Sequence, residues 1–316
     1  MEEQPDTNAI EIQNLTKRFG GVQALNKLSF GIPCGVIAGF VGPNGSGKTT
    51  TMRILATLLK QDSGSAKVFG DSASSQSKAK LVRHSIGFMP DYFGLYTDMT
   101  AGEYLDFFAA AYRIPPEKRE GLVSDMLALV SLSDKKDTLI SGLSRGMQQK
   151  LSLGRALIHS PRLLLLDEPA SGLDPRARIE LMELLRELKR MGKTVFISSH
   201  ILSELQHLCD MVVIIEKGHE VYCGSMADAS ENLMAGRGFA ELIVAGDPDA
   251  AAEVLKLLEG VQGIRRNERQ LLIEHSPELS TADIVDACVK QGIRVEEMKR
   301  GSANLEEIFM QMTGAE

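Results

Sequence analysis

Val41-Gly42-Pro43-Asn44-Gly45-Ser46-Gly47-Lys48-Thr49-Thr50 is the stretch whose reading decides the fold. It fits G-x-x-x-x-G-K-[ST], with Gly42, Gly47, Lys48 and Thr49 in the fixed places. The run before it, Val36 to Val41, is apolar as a buried strand should be, and Thr50 to Leu59 reads as a helix. Glycines let the backbone wrap tightly, so consecutive N–H groups turn inward and form an anion nest at the positive end of that helix. In such a nest Lys48 reaches the β- and γ-phosphates and the Thr49 hydroxyl sits on Mg²⁺. A Gly-rich turn matching by chance would lack the strand and the helix. The stretch predicts a nucleoside triphosphate site with contacts from Gly42 to Thr50.

Outward from this loop, the totals set bounds. A chain of 316 residues suggests about two domains. With 43% hydrophobic and 24% charged residues, the composition is that of a globular protein. A net charge of −7 leaves no basic surplus for neutralising phosphates, which argues against a nucleic-acid partner. No apolar run approaches the roughly 18–20 residues needed to span a bilayer, and Met1 to Asp6 does not read as a signal peptide. The expected location is the cytoplasm, or the membrane surface through a partner. Cys34, Cys209, Cys223 and Cys288 show no C-x-x-C pairing and are expected to be buried apolar residues.

Ile10 with Ile12, and Leu28 with Phe30, alternate with polar neighbours like strands of an antiparallel layer, joined by a turn over Lys17 to Gly21. Ala66 to Phe69 reads as another strand and Asp71 to Lys80 as a surface loop. From Asp91 the pattern turns helical. Thr100 and Glu103 form a capping box, and Pro115-Pro116 ends one helix and opens the next. Tyr92, Phe93, Leu95 and Tyr96 before them form an aromatic cluster, either core or docking surface. A helix after Ser144 runs to about His159. Strands Leu163 to Leu166, Thr194 to Ile197 and Met211 to Ile215 then alternate with helices Asp174 to Met191 and Ile201 to Leu208. Such alternation predicts a parallel sheet with helices on both faces.

Asp167 and Glu168 stand at the C-terminal tip of the Leu163 strand, the edge where open parallel sheets hold ligands. Asp167 is placed to hold Mg²⁺, and Glu168, pointing the other way, can address an attacking water. Alone, an acid at a strand end often serves only a turn; beside the Lys48 loop the pair is a candidate catalytic centre.

Leu143-Ser144-Arg145-Gly146-Met147-Gln148 precedes this pair, and Ser171-Gly172-Leu173-Asp174 and Ser198-Ser199-His200 follow it. In this order and spacing the set resembles the ATP-binding subunits of ABC transporters, over about residues 8 to 225. The resemblance implies ATP with Mg²⁺ as cofactor. It also implies a second copy of the chain packed head to tail, and a separate membrane permease. Phe19 would stack on adenine. The signature loop, Ser144, Arg145, Gly146 and Met147, would bind the γ-phosphate held by the other copy; a Ser hydroxyl, a glycine N–H and a helix N-terminus suit an anion. Asp174 would touch across the dimer interface, and His200 would sense the γ-phosphate unless it is merely packed or capping. Asp91 stands where the family has Gln, so it could ligate the metal or repel the phosphate; Arg145 adds a cation where the family has Gly. These variants and the ending from Asn304 to Gly314 resemble the exporter branch.

The expected fold is α/β. A phosphate-loop nucleotide-binding domain (1–224) has a parallel core sheet, an antiparallel β layer and a helical insertion at about 91–160. A small α+β domain (225–316) reads β-α-β-β-α-β, ferredoxin-like, with Asp247 and Pro248 opening a helix that closes at Gly260. A hairpin (Val261 to Arg266, Gln270 to Glu274), the helix Thr281 to Gln291, the strand Ile293 to Met298 and a last helix Asn304 to Met312 complete it. Glu274 and His275 face opposite ways on their strand, so no catalytic set is expected there. The function implied is an ATPase that powers transport; the alternative is an ABC-type ATPase acting as a regulatory or assembly module.

Overall fold

The leucine run 163–166 is buried throughout because the sheet that holds it is covered on both faces. The computed structural model describes residues 8–92, 94–201, 205–233, 238–267 and 270–300. They form two compact units, Met1–Met226 and Ala227–Glu316.

In the first unit, β1 (Asn8–Phe19) pairs antiparallel with β2 (Val22–Pro33). With β4 (Ser63–Val68) and β5 (Asp71–Ser72) they make a sheet of order β2-β1-β4-β5. The expected turn over Lys17 to Gly21 shrinks to Gly20-Gly21, since Phe19 still pairs with Val22. The second sheet holds β3 (Ile37–Val41), β6 (Ile86–Met89), β7 (Leu163–Leu166), β8 (Thr194–Ser199), β9 (Met211–Glu216) and β10 (His219–Ser225). Its order is β10-β9-β3-β8-β7-β6, parallel except for the β9–β10 hairpin at one edge. Phe30 of β2 packs on Phe40 of β3 and Phe196 of β8, with ring centroids 5.6 and 5.9 Å away. This aromatic trio joins the two sheets through one core.

Helix α1 (Lys48–Leu55) starts two residues before the expected Thr50 and stops at Ala56 rather than Leu59. Thr57 turns left-handed (φ 61°), and the Leu58 and Leu59 N–H groups fold back onto the Arg53 carbonyl, which closes the helix. The expected surface loop 71–80 instead contains β5 and the start of α2 (Ala79–Ser85). Only Val82 of α2 is buried, so its periodicity was too weak to read.

The insertion is built of α3 (Ala101–Ala111), α4 (Pro116–Leu129) and α5 (Arg145–Leu157) around its own core, which includes Tyr104, Leu105, Leu127 and Leu151. Thr100 and Glu103 make the capping box, and Pro116 occupies the first turn of α4. Helix α6 (Pro175–Arg190) follows β7, and Gly192 (φ 80°) lies just past its end. Of the aromatic cluster, Tyr92 is 86% exposed, whereas Tyr96 packs on Tyr104, Phe107 and Phe108. Phe93, residues 202–204 of the expected Ile201 helix and the last helix Asn304 to Met312 lie outside the described residues. Of the cysteines, Cys209 and Cys288 are buried and Cys223 half-buried, but Cys34 is exposed, because it sits in the turn between β2 and β3.

The second unit adds a helix absent from the sequence reading, α7 (Met226–Leu233). Then come β11 (Gly238–Ala245), α8 (Pro248–Lys256), β12 (Val261–Asn267), β13 (Gln270–His275), α9 (Thr281–Lys290) and β14 (Arg294–Arg300). The antiparallel sheet has the order β12-β13-β11-β14, the arrangement of a split β-α-β-β-α-β unit. Helix α8 ends at Lys256, short of Gly260, with the chain already in a looser turn at Leu257.

Candidate active site

The phosphate loop wraps because its glycines take conformations closed to other residues. Gly45 (φ 82°) and Gly47 (φ 111°) both lie in the left-handed region, and a Cβ at Gly47 would stand 2.8 Å from the Ala24 carbonyl oxygen. The loop borders a cleft of about 440 Å³. It is lined by Asn44, Gly45, Gly47, Lys48, Thr49 and Thr50, by Phe19 and Ala24 of β1 and β2, and by Asp91, Glu168, Ser171 and His200. Gly42, Pro43 and Ser46 are not among the residues that line it.

Lys48 is 6% exposed and its Nζ donates to the carbonyls of Gly42 (2.6 Å) and Pro43 (3.3 Å). Glu168 Oε1 is 3.5 Å from the same nitrogen. Burial lowers the Lys48 pKa, with Glu168 and then Asp167 pulling it back up. Ser46 Oγ is buried without a hydrogen-bond partner. A buried ammonium at the edge of a cleft lined by loop residues suits a phosphate oxygen.

Asp167 and Glu168 extend past β7 and diverge. Asp167, 1% exposed, accepts the Ser198 hydroxyl at 2.7 Å and is hydrogen-bonded by Thr49. Burial pushes its pKa up, opposed by those two hydroxyls, and Glu168 and Asp91 push it up further. A buried carboxylate beside a threonine hydroxyl, with acids gathered around it, is a donor set that suits a hard divalent cation such as Mg²⁺. Glu168 adopts a left-handed backbone (φ 49°), rare for a non-glycine residue, and its N–H donates to Ser198 Oγ at 2.9 Å. The side chain, 16% exposed, accepts from His200 Nδ1 at 2.8 Å through Oε2. His200 is 46% exposed, so it is not a packed core histidine.

The signature loop does not line this cleft, although Arg145 touches one of its wall residues. Ser144 caps α5, accepting the Met147 N–H at 3.4 Å, and Met147 packs into the insertion core. Arg145 donates to the Ser171 carbonyl at 3.4 Å and shares a separate cleft with Asp91, Tyr92 and Gln148. Gly146 stands against Leu173 and Ala177, and Asp174 caps α6 through the Ala177 N–H at 3.0 Å. None of Ser144, Arg145, Gly146, Met147 or Asp174 lines the cleft at Lys48.

Sequence reasoning missed Ser198, whose one hydroxyl serves both Asp167 and Glu168, and it missed Ala24 and Ser171 in the cleft wall. The available signal for Ser198 was a polar residue at the end of an otherwise apolar strand.

The family model described as ABC transporter matches residues 25–171. The chain is 33% identical over 312 residues to the Nod factor export ATP-binding protein I of Burkholderia orbicola (strain AU 1054), covering 97% of each. It is 30% identical over 309 residues to a linearmycin resistance ATP-binding protein of Bacillus subtilis (strain 168), covering 96% of this chain and 98% of the other. A solved ATP-binding subunit of an ABC transporter superposes with TM-score 0.64 at 27% identity, over 71% of this chain and 92% of that one. A dimeric ATP-binding cassette in a post-hydrolysis state, bound to ADP and Pi, gives TM-score 0.63 at 25% identity, over 69% and 98%. With phosphate loop, acid pair at the tip of β7 and this likeness along nearly its whole length, the chain belongs to the ABC transporter family, as an ATP-binding subunit with ATPase activity.

Proposed function

We propose that two copies of this chain, packed head to tail, hydrolyse ATP to drive a separate membrane permease that exports a substrate. The observation carrying this reading is that the signature loop does not line the cleft at Lys48. The serine–glycine helix tip at Ser144–Gly146, itself suited to an anion, lies outside that cleft, so a γ-phosphate gripped by both needs a second protomer. The similar cassette with ADP and Pi is dimeric, and the Burkholderia relative is named for export.

Within each site Lys48 and the loop N–H groups bind the phosphates, and Phe19 stacks on the adenine. Thr49 and Asp167, with Asp91 nearby, would hold Mg²⁺, which would supply positive charge to the phosphate oxygens. Glu168 takes the proton of the attacking water while His200 orients its carboxylate. Asp174 and the signature residues meet the other copy.

Among the described residues no helix is long and apolar enough to cross a membrane. In this reading the permease supplies the membrane contact and holds the subunit at the cytoplasmic face. A second cleft, of about 460 Å³, suits that contact. Arg53, Arg83 and Arg155 bring cations to it, and Phe88, Phe108 and Tyr112 bring aromatic surface. Pro90 lines this cleft and the next residue, Asp91, lines the nucleotide cleft, so a shift in one is felt in the other.

The test is Glu168→Gln with saturating MgATP and the membrane subunit present. A dimer by light scattering supports the reading, and a persistent monomer overturns it. Pull-down from solubilised membranes separates transport from a regulatory module: the first recovers a multi-spanning partner, the second does not.

A further inference from the structure

The phosphate loop is braced from behind by the turn of the β9–β10 hairpin. Lys217 (φ 46°) and Gly218 (φ 80°) form that turn between the paired residues Glu216 and His219. Two successive left-handed residues match the turn that right-twisted hairpins favour. Gly218 is buried, and its N–H donates to the Ser46 carbonyl at 2.9 Å. Its own carbonyl accepts the Asn26 N–H of β2 at 2.9 Å, and the Asn26 carboxamide lies 2.8 Å from His219 Nε2.

The junction has no spare room. A Cβ at Gly218 would stand 2.7 Å from the Ala24 carbonyl oxygen and 2.9 Å from Leu25 Cα, both main chain. Ala24 forms part of the nucleotide cleft, and its carbonyl oxygen also limits Gly47. A side chain at 218 must therefore push the hairpin away or displace β2, and either movement reaches the cleft.

A loop that aims its N–H groups at phosphates must turn carbonyls away, and each buried carbonyl needs a donor. For Ser46 that donor is Gly218. In a planar trans peptide the N–H points opposite to the C=O. Holding the Ser46 carbonyl toward the hairpin thus fixes the Gly47 N–H away from it, and Gly47 lines the cleft. We propose that Gly218 is a positioning residue for nucleotide binding: through the Ser46 carbonyl it sets the direction in which the Gly47 N–H faces the phosphates. This rests on the reading of the loop as an ATP site.

Gly218→Ala in the full chain is the test, with Gly192→Ala as its match. Gly192 has the same φ of 80° but nothing within 4 Å of a built Cβ, and it sits past α6. Both variants bear the same backbone strain; only one touches the loop. Titration with MgATP by calorimetry, alongside steady-state hydrolysis, is expected to give Gly218→Ala a Kd and KM about tenfold higher, with kcat falling less. Gly192→Ala keeps the wild-type Kd, and amide exchange at residues 46–48 speeds up in Gly218→Ala alone. Equal Kd values for the two variants overturn the proposal. Should Gly218→Ala fail to fold, Asn26→Ala, which removes the carboxamide link to His219 and keeps the glycine, decides: an unchanged Kd overturns the proposal and a raised one supports it. Failure of the wild-type chain to bind MgATP would instead remove the ATP reading itself.

Discussion

His200 Nδ1 lies 2.8 Å from Glu168 Oε2, although the two residues extend from different strands. A carboxylate can only accept, so Nδ1 carries the proton in this contact and, in the neutral ring, Nε2 is left as acceptor. The other Glu168 oxygen is 3.5 Å from Lys48 Nζ. Acid, histidine and phosphate-loop lysine form one network.

Replacing Glu168 by Gln keeps the shape of the side chain but removes its capacity to take a proton. ATP binding should persist while turnover falls by about 10²–10⁴-fold. Phosphate release under saturating MgATP measures this, and undiminished turnover would take Glu168 out of the catalytic role.

His200 acts through Glu168 in this arrangement, so its loss and the loss of Glu168 should not add. His200→Ala is expected to lower kcat, and the double variant His200→Ala with Glu168→Gln should be no slower than Glu168→Gln alone. Additive losses in single-turnover hydrolysis would show two independent roles.

Ser198 donates a hydrogen bond to Asp167 in a buried setting and accepts one from the part-buried Glu168 N–H. Ser198→Ala leaves that N–H and one carboxylate oxygen without this partner, at a cost of about 1–3 kcal/mol in nucleotide-free stability. Denaturant midpoints of the free protein read the loss. An unaltered midpoint would mean that water replaces the hydroxyl.

His159 stacks on Tyr112 with ring centroids 3.8 Å apart, and its Nε2 meets the Ile86 carbonyl at 2.8 Å. Burial pushes its pKa down from 6.5 to about 4. The unfolded chain therefore binds a proton that the folded chain refuses, and stability falls as pH drops from about 6.5 to about 4. Asp167 and Glu220, raised by burial, have the opposite slope, so the comparison is with His159→Gln, which can still donate to Ile86. Thermal melts across that range should lose slope in the variant; parallel curves would clear His159 of the effect.

The sequence by itself determined those features whose cause is local. A phosphate loop needs glycines at fixed offsets, Gly47 for left-handed backbone and Gly42 for its close approach to the Ile215 carbonyl, so Gly42, Gly47, Lys48 and Thr49 announce it. Capping at Thr100 and Ser144 and the unbroken leucine run 163–166 likewise follow from neighbours in the chain. Helix α2, with one buried residue, had no face to betray it. Tertiary structure alone decided what depends on distant segments meeting. Ser198 is a partner of Asp167 because β8 lies beside β7, and Gly218 reaches Ser46 because β9 lies beside β3. Asp91 comes to the same cleft as Glu168 only through the pairing of β6 with β7. Local periodicity encodes which face of a strand is apolar; which strand sits next to it is fixed by the packing of the whole sheet.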